Sequence, residues 1–231
     1  CNIDQGTGEI KLVSVFRDTY LSVSDNGLYN KINQAYFLGG PKQAVEALNR
    51  NLDLQIDDFA TFNWKAVVDA VNILGGVDVE LSKAEFYYIN AYITETVEAT
   101  GVGSYQLKQA GLNHLDGVQA VAYARLRKMD TDFARTERQR EIIDLCFQKL
   151  KKSDFAVVNN VMEAVFPQIL SSVTIDDIIP AAKNLTKYTI ADTMGFPAAR
   201  SDANMGKKGA CVIPQTLESN VTLLHQFLFG D

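Results

Sequence analysis

Tyr123-Ala-Arg-Leu-Arg-Lys-Met-Asp-Thr-Asp-Phe-Ala-Arg-Thr-Glu-Arg-Gln-Arg140 is the stretch on which the reading of this chain turns. It holds six of the 22 Lys and Arg in a chain of formal net charge −6, and five of those six are Arg. A charge run is most often a solvated face. The preference for Arg argues for more, because a guanidinium is a planar fork of donors that matches phosphate oxygens at any working pH. Arg125 and Arg127 are two residues apart, so an extended backbone turns both the same way. Arg135, Arg138 and Gln139 are spaced i, i+3, i+4 and share one face of a helix. A strand end running into a helix start would aim both sets at one anion.

Upstream of this stretch, Asp116 is placed to cap a short helix ending at Ala124. Leu107 to Gly117 reads as a loop carrying His114, a structural histidine, since nothing nearby completes a nucleophile or metal set. Glu85 to Ala99 reads as a helix apolar nearly all round, either buried on two sides or walling a groove for a long apolar ligand. Val77-Asp-Val-Glu-Leu81 alternates and predicts a strand. Asn63 predicts a helix cap, with the helix ended by Gly75-Gly76. Gln55 to Phe62 fits a strand. Gly39-Gly40-Pro41 marks a helix start and matches no phosphate-loop pattern. Ile10 to Phe16 reads as a strand after a turn at Asp4 to Gly8. Arg17-Asp18-Thr19 then lies at its carboxyl end, where open α/β sheets place ligand-binding groups.

Downstream, Asp132 is placed to cap a long helix from Phe133 to Leu150. Phe155 to Leu170 reads as an apolar helix stopped or kinked by Pro167. Thr174 or Asp176 would cap a helix from Ile178 to Tyr188. Thr189 to Phe196 and Ala210 to Ile213 predict closing strands, and Gln215 to Phe229 a terminal amphipathic helix. Strands alternate with helices without repeats or linkers. The expected fold is α/β, an α/β/α sandwich with a central mixed β-sheet and helices on both faces, in one domain spanning residues 1–231.

Composition sets outer limits. Hydrophobic content of 47% and charged content of 22% are ordinary for a globular fold. A pI near 5.0 argues against general nucleic-acid binding. Cysteines at positions 1, 146 and 211 fit neither a metal spacing nor a disulfide framework; a Cys1–Cys211 bridge or buried free thiols are the alternatives.

Five motifs occur in a definite order: Val15-Phe-Arg-Asp-Thr19; Lys31-Ile-Asn-Gln-Ala-Tyr36 with Gly39-Gly40-Pro41; Leu74-Gly-Gly-Val-Asp-Val79; Leu115 to Arg127; and Asp132-Phe-Ala-Arg-Thr-Glu-Arg-Gln139. Together they resemble the LytR-CpsA-Psr family of bacterial cell-envelope proteins. The resemblance implies transfer of a glycopolymer, such as teichoic acid or capsule, from a polyprenyl-pyrophosphate carrier to peptidoglycan with formation of a phosphodiester. It implies that Arg17, Arg125, Arg127, Arg135 and Gln139 hold the pyrophosphate. Asp18, Lys31, Asn33 and Arg138 are the neighbouring substrate-binding candidates. It further implies magnesium, a lipid tunnel walled by the apolar helices, and an extracytoplasmic location beneath an N-terminal membrane anchor, with no nucleic acid as partner.

Phe16 stands where the family often has Pro, and Ala134 where Gly is common. The family's Ser-Asp-Thr-Ile-like segment, whose aspartates bind the metal, would lie upstream of Cys1. The chain is therefore expected to be N-terminally incomplete and short of its metal ligands. The alternatives are a non-catalytic polyprenyl-phosphate binding module and, remotely, the transcriptional regulator that some family members are labelled.

Overall fold

The computed structural model describes residues 1–127 and 132–230, with Asp132 described in its backbone. The chain divides into two compact units, Cys1–Phe59 with Thr189–Asp231, and Ala60–Tyr188. Both are mixed α/β, as the alternating pattern predicts.

The first unit opens with β1 (Asn2–Ile3), β2 (Glu9–Val15), β3 (Tyr20–Ser22), β4 (Tyr29–Lys31) and α1 (Asn33–Leu52). β1 pairs antiparallel with β2 around the expected turn. The first helix starts earlier than Gly39-Gly40-Pro41 suggests. Those residues instead break it: Gly40 takes φ 69°, ψ −158°, a conformation closed to other residues, and Pro41 restarts the helix. The strand expected at Gln55 to Phe62 is a correction. Only Ala60–Thr61 is extended and paired, because the Asn49 side chain takes the Ile56 backbone at both ends: its Oδ1 accepts from the Ile56 N–H at 2.8 Å, and its Nδ2 donates to the carbonyl at 3.4 Å.

The second unit holds β5 (Ala60–Thr61), α2 (Trp64–Ile73), β6 (Val77–Leu81), α3 (Lys83–Thr100), β7 (Gly111–Leu115), α4 (Gly117–Arg125), α5 (Asp132–Lys152), α6 (Phe155–Val165), β8 (Leu170–Ser171) and α7 (Ile175–Lys183). Its helix starts are locally encoded. Asn63 accepts from the Ala66 N–H at 2.7 Å. Ser82 with Glu85, and Asp116 with Gln119, form reciprocal capping boxes. Asp177 accepts from both the N–H and the hydroxyl of Thr174, which makes Thr174 the cap. Pro167 ends α6 in a short 3-10 turn.

Two expectations are corrected here. The loop at Leu107 to Gly117 contains β7, which pairs antiparallel with β6 from Val77↔Leu115 to Leu81↔Gly111. His114 is cross-strand from Asp78, with Nδ1 and Oδ1 2.6 Å apart. The helix at Glu85 to Ala99 is not apolar all round: α3 buries Ile89, Tyr92, Ile93 and Thr96 on one side and exposes Tyr87, Thr94, Glu95 and Glu98 on the other. The core of this unit gathers Val68, Val71, Val79, Ile89, Val118 and Leu126.

Gly117 is where α4 meets α2. A Cβ there would stand 2.1 Å from the Val68 carbonyl oxygen, a backbone atom that cannot swing aside. Gly117→Ala is expected to cost about 3 kcal/mol or more of stability in urea denaturation. A wild-type midpoint would remove the close approach from the account of this packing.

The chain returns to the first unit with β9 (Thr189–Phe196), β10 (Arg200–Asn204), β11 (Ala210–Pro214) and α8 (Leu217–Phe229). β9 lies parallel to β2, with Val15 opposite Phe196. A parallel pair needs a long crossover, and here the whole second unit lies within it. Phe16 is buried, its ring lying where a Cβ on Gly195 would meet Cζ at 2.5 Å, and the Arg200 guanidinium stands 5.0 Å over it. β10 went unread in the sequence. Its Arg-Ser-Asp-Ala-Asn composition is a poor strand former, and antiparallel pairing with β11 makes it one.

Candidate functional site

In the first unit, the turn after β2 carries Arg17 and Asp18. Its backbone is fixed on three sides. The Thr19 N–H donates to the Phe16 carbonyl at 3.0 Å, the Val212 N–H to the Asp18 carbonyl at 2.9 Å, and the Ile32 N–H to the Thr19 carbonyl at 2.8 Å. The Asn33 N–H, at the first position of α1, donates to the Arg17 carbonyl at 3.2 Å. Asp18 pairs with Lys31 at 3.2 Å and with Arg17 at 3.6 Å. The turn thus gathers Arg17 and Lys31 around the Asp18 carboxylate, with Asn33, the fourth candidate, joined to it through its backbone.

In the second unit the arginines sit at the joint between α4 and α5. Among the described residues, three hydrogen bonds tie the joint. The Tyr123 hydroxyl donates to Glu141 at 2.7 Å, Arg138 Nη2 to the Leu126 carbonyl at 2.7 Å, and Gln139 Nε2 to the Ala124 carbonyl at 3.4 Å. The carbonyls at the end of a helix lack internal partners, and α5 supplies them. Burial, with the bond to Glu141, holds the Tyr123 phenol well above its ordinary range, so it stays a donor.

Arg125 closes α4 as its last helical residue, a correction to the extended backbone expected there. Its guanidinium stacks 3.7 Å over the Trp64 ring. Nη1 donates to Thr96 Oγ1 at 2.7 Å, and Nη2 reaches Glu95 at 3.3 Å. Burial lowers its pKa from the ordinary value, against an opposing effect of Glu95. Arg127 follows in non-helical backbone and is exposed. On α5, Arg135 is half-buried and Gln139 exposed, whereas Arg138 is buried. Arg138 faces Glu85 at 3.5 Å, with side-chain exposures of 6% and 13%. The shared helix face is therefore divided: Arg138 turns inward and joins α3 to α5, and it does not belong with the accessible set. The capping role expected of Asp132, and Lys128 within the arginine stretch, lie outside the described side chains.

The holders of Arg125 were not read as functional from the sequence. Trp64 is the chain's one tryptophan and directly follows a cap residue, which was the available signal. Glu95 and Thr96 gave none.

A cavity of about 450 Å³ lies within the first unit, lined mainly by apolar side chains, among them Val13, Val15, Leu48, Leu52 and Leu228, and also by Asp57 and Asp58. Its walls come from β1, β2, α1, α8 and the segment 54–58, and neither α3 nor α6 contributes to it. Among the described residues no three His, Cys, Asp or Glu side chains converge on a metal position. Asp18 is a single carboxylate already paired with Lys31 and Arg17, short of the oxygen-rich set that magnesium takes. The described residues do not by themselves fit the magnesium that the resemblance implies. No helix among them is long and apolar enough to cross a membrane.

The three cysteines are free. Burial pushes the Cys146 thiol up to about 11 from an ordinary 9.0, Lys149 opposing. An acid whose folded pKa is raised favours the fold below its unfolded value. That contribution is lost as pH rises between about 9 and 11. At pH 8, alkylation of the native protein is expected to modify exposed Cys1 and spare Cys146. Equal rates at the two would contradict the half-buried placement of Cys146.

The LytR_cpsA_psr family model matches residues 1–208. This chain belongs to the LytR-CpsA-Psr family. Among its relatives, a polyisoprenyl-teichoic acid–peptidoglycan teichoic acid transferase, TagU of Bacillus cereus (strain AH820), is 32% identical over 178 residues, covering 76% of this chain and 54% of TagU. Three curated relatives are matched over 42%, 58% and 54% of their own lengths, so the chain spans about half of them. The crystal structure of Bacillus subtilis TagV superposes with a TM-score of 0.75 at 25% identity, covering 98% of this chain and 86% of TagV. A structure of TagT bound to LIIa-WTA also gives 0.75, at 24% identity, covering 98% of this chain and 82% of that one.

Proposed function

We propose that this LytR-CpsA-Psr chain carries out glycopolymer transfer from a polyprenyl-pyrophosphate carrier to a peptidoglycan hydroxyl, on the extracytoplasmic face of a bacterial membrane. The observation that carries the proposal is the joint of α4 and α5, where Arg127 and Arg135 are presented by a backbone that Tyr123, Arg138 and Gln139 hold rigid. The names of the curated relatives, transferases of teichoic acid, support the choice of substrate class.

In the reaction proposed, the acceptor oxygen bonds to the glycan-linked phosphorus, and the bond from that phosphorus to the bridging oxygen breaks. Polyprenyl monophosphate leaves, and the hydroxyl proton passes to solvent. Phosphoryl transfer of this kind asks the protein chiefly for positioning and charge neutralisation. Guanidinium groups at the joint are the neutralising groups in this reading. The apolar cavity is proposed for the lipid chain.

The test is native mass spectrometry and turnover of the full-length protein with a polyprenyl-pyrophosphoryl oligosaccharide, magnesium and peptidoglycan. Lipid bound and consumed, with the glycan appearing on peptidoglycan, is the expected result. Lipid retained without turnover would leave a carrier-binding module, and no retention would end the proposal.

A further inference from the structure

Two large aromatic side chains stand exposed in one cleft, and the second of them packs on Arg125. Phe62 is 53% exposed and Trp64 45%. With Asn63, Lys65, Ala99 and Thr100 they line a shallow, open cleft. An exposed tryptophan is ordinarily mobile at its surface. This one has a partner: the Arg125 guanidinium lies on its ring and is itself held by Thr96 and Glu95. The polar groups around the rings are also set in place. Asn63 spans the Ala66 N–H and the Gln168 carbonyl, at 2.7 and 3.2 Å. Lys65 pairs with Asp69 at 2.6 Å. The Thr100 hydroxyl donates to the Thr96 carbonyl at 2.7 Å.

Exposed aromatic side chains that share a cleft with amide, ammonium and hydroxyl groups mark a binding surface. Its chemistry matches a pyranose ring. One face of such a ring presents C–H groups that stack on an aromatic, and its edge presents hydroxyls that bond to a polar rim. The cleft is open, which suits an internal segment of a polymer that must continue past the site in both directions. An enclosed pocket would accept only a chain end.

We propose that Phe62 and Trp64 form a platform for the acceptor glycan, a linear chain of N-acetylated pyranoses. The proposal rests on the transferase reading, in which Arg125 serves the phosphate. Arg125 covers one face of the Trp64 ring, so a sugar would stack on Phe62 and on the opposite face of Trp64.

The one tryptophan provides the readout, without donor lipid or turnover. Titration with the tetramer of β-1,4-linked N-acetylglucosamine is expected to shift Trp64 fluorescence with a midpoint on the order of millimolar. Phe62→Ala, checked for an unchanged far-UV spectrum, should weaken that binding about tenfold and raise the acceptor KM by a like factor, and Phe62→Tyr should restore both. No fluorescence response, together with an unchanged acceptor KM in Phe62→Ala, overturns the platform and leaves the transferase reading intact. A response to the donor's glycan alone overturns the assignment to the acceptor. Saccharide binding in a protein that never turns over donor would overturn the transferase reading and keep the platform as a sugar site.

Discussion

Arg127→Ala is expected to lower glycopolymer transfer by about 10- to 100-fold, and Arg127→Ala with Arg135→Ala by about 100-fold or more. A charge-assisted hydrogen bond is worth about 1.5–3 kcal/mol, and each 1.4 kcal/mol is about tenfold in rate. Arg127 is exposed, so its loss should leave the stability within about 0.5 kcal/mol of the wild type. The rate loss then reports on the substrate and not on the fold. Turnover of the full-length variants on a polyprenyl-pyrophosphoryl oligosaccharide, alongside their urea midpoints, is the measurement. Wild-type turnover in Arg127→Ala would remove that arginine from the phosphate site. A fall in turnover matched by a fall in stability would make it structural.

Arg138→Ala is expected to behave in the opposite way, with a loss of about 3–5 kcal/mol in stability. The reason is the company it keeps. Arg138 and Glu85 are both nearly excluded from water, and Arg138 also satisfies the Leu126 carbonyl. Removing the guanidinium strands a buried carboxylate and an orphaned carbonyl together. Glu85 additionally holds the Ser82 N–H at the start of α3, at 2.9 Å, so the disturbance should spread to that cap. In a domain of this size the change amounts to about 10 °C in thermal midpoint. Arg138→Met combined with Glu85→Gln should recover much of it, since no charge is then left unpaired. A thermal midpoint within about 2 °C of the wild type for Arg138→Ala would show that the pair is far better solvated than its burial suggests.

The contrast between Arg127 and Arg138 shows how far the sequence could be read. Both belong to one arginine-rich stretch, and the helical spacing of Arg135, Arg138 and Gln139 put all three on one face. Spacing places residues around an axis but does not say what stands opposite them. α3 and the end of α4 stand opposite Arg138, and they claim it. Arg125 is a similar case. Its place beside a phosphate was inferred from the ordered motifs, whereas its packing on Trp64 joins residues 61 positions apart and left no mark in either local pattern.

What the sequence by itself determined lies within reach of a few residues. Asn63, Ser82 with Glu85, Asp116 with Gln119, and Thr174 with Asp177 set the helix starts, because a cap bonds to backbone two or three residues away. The alternation of Val77 to Leu81 set a strand with one buried face, and the ordered motifs carried the family. Partnership over longer distances was left to the tertiary structure. Gly111 to Leu115 became a strand because β6 was there to pair with it. Gln55 to Phe59 did not, because the Asn49 side chain took the Ile56 backbone first. Backbone polar groups must find partners somewhere, and a sequence names them only when they are near.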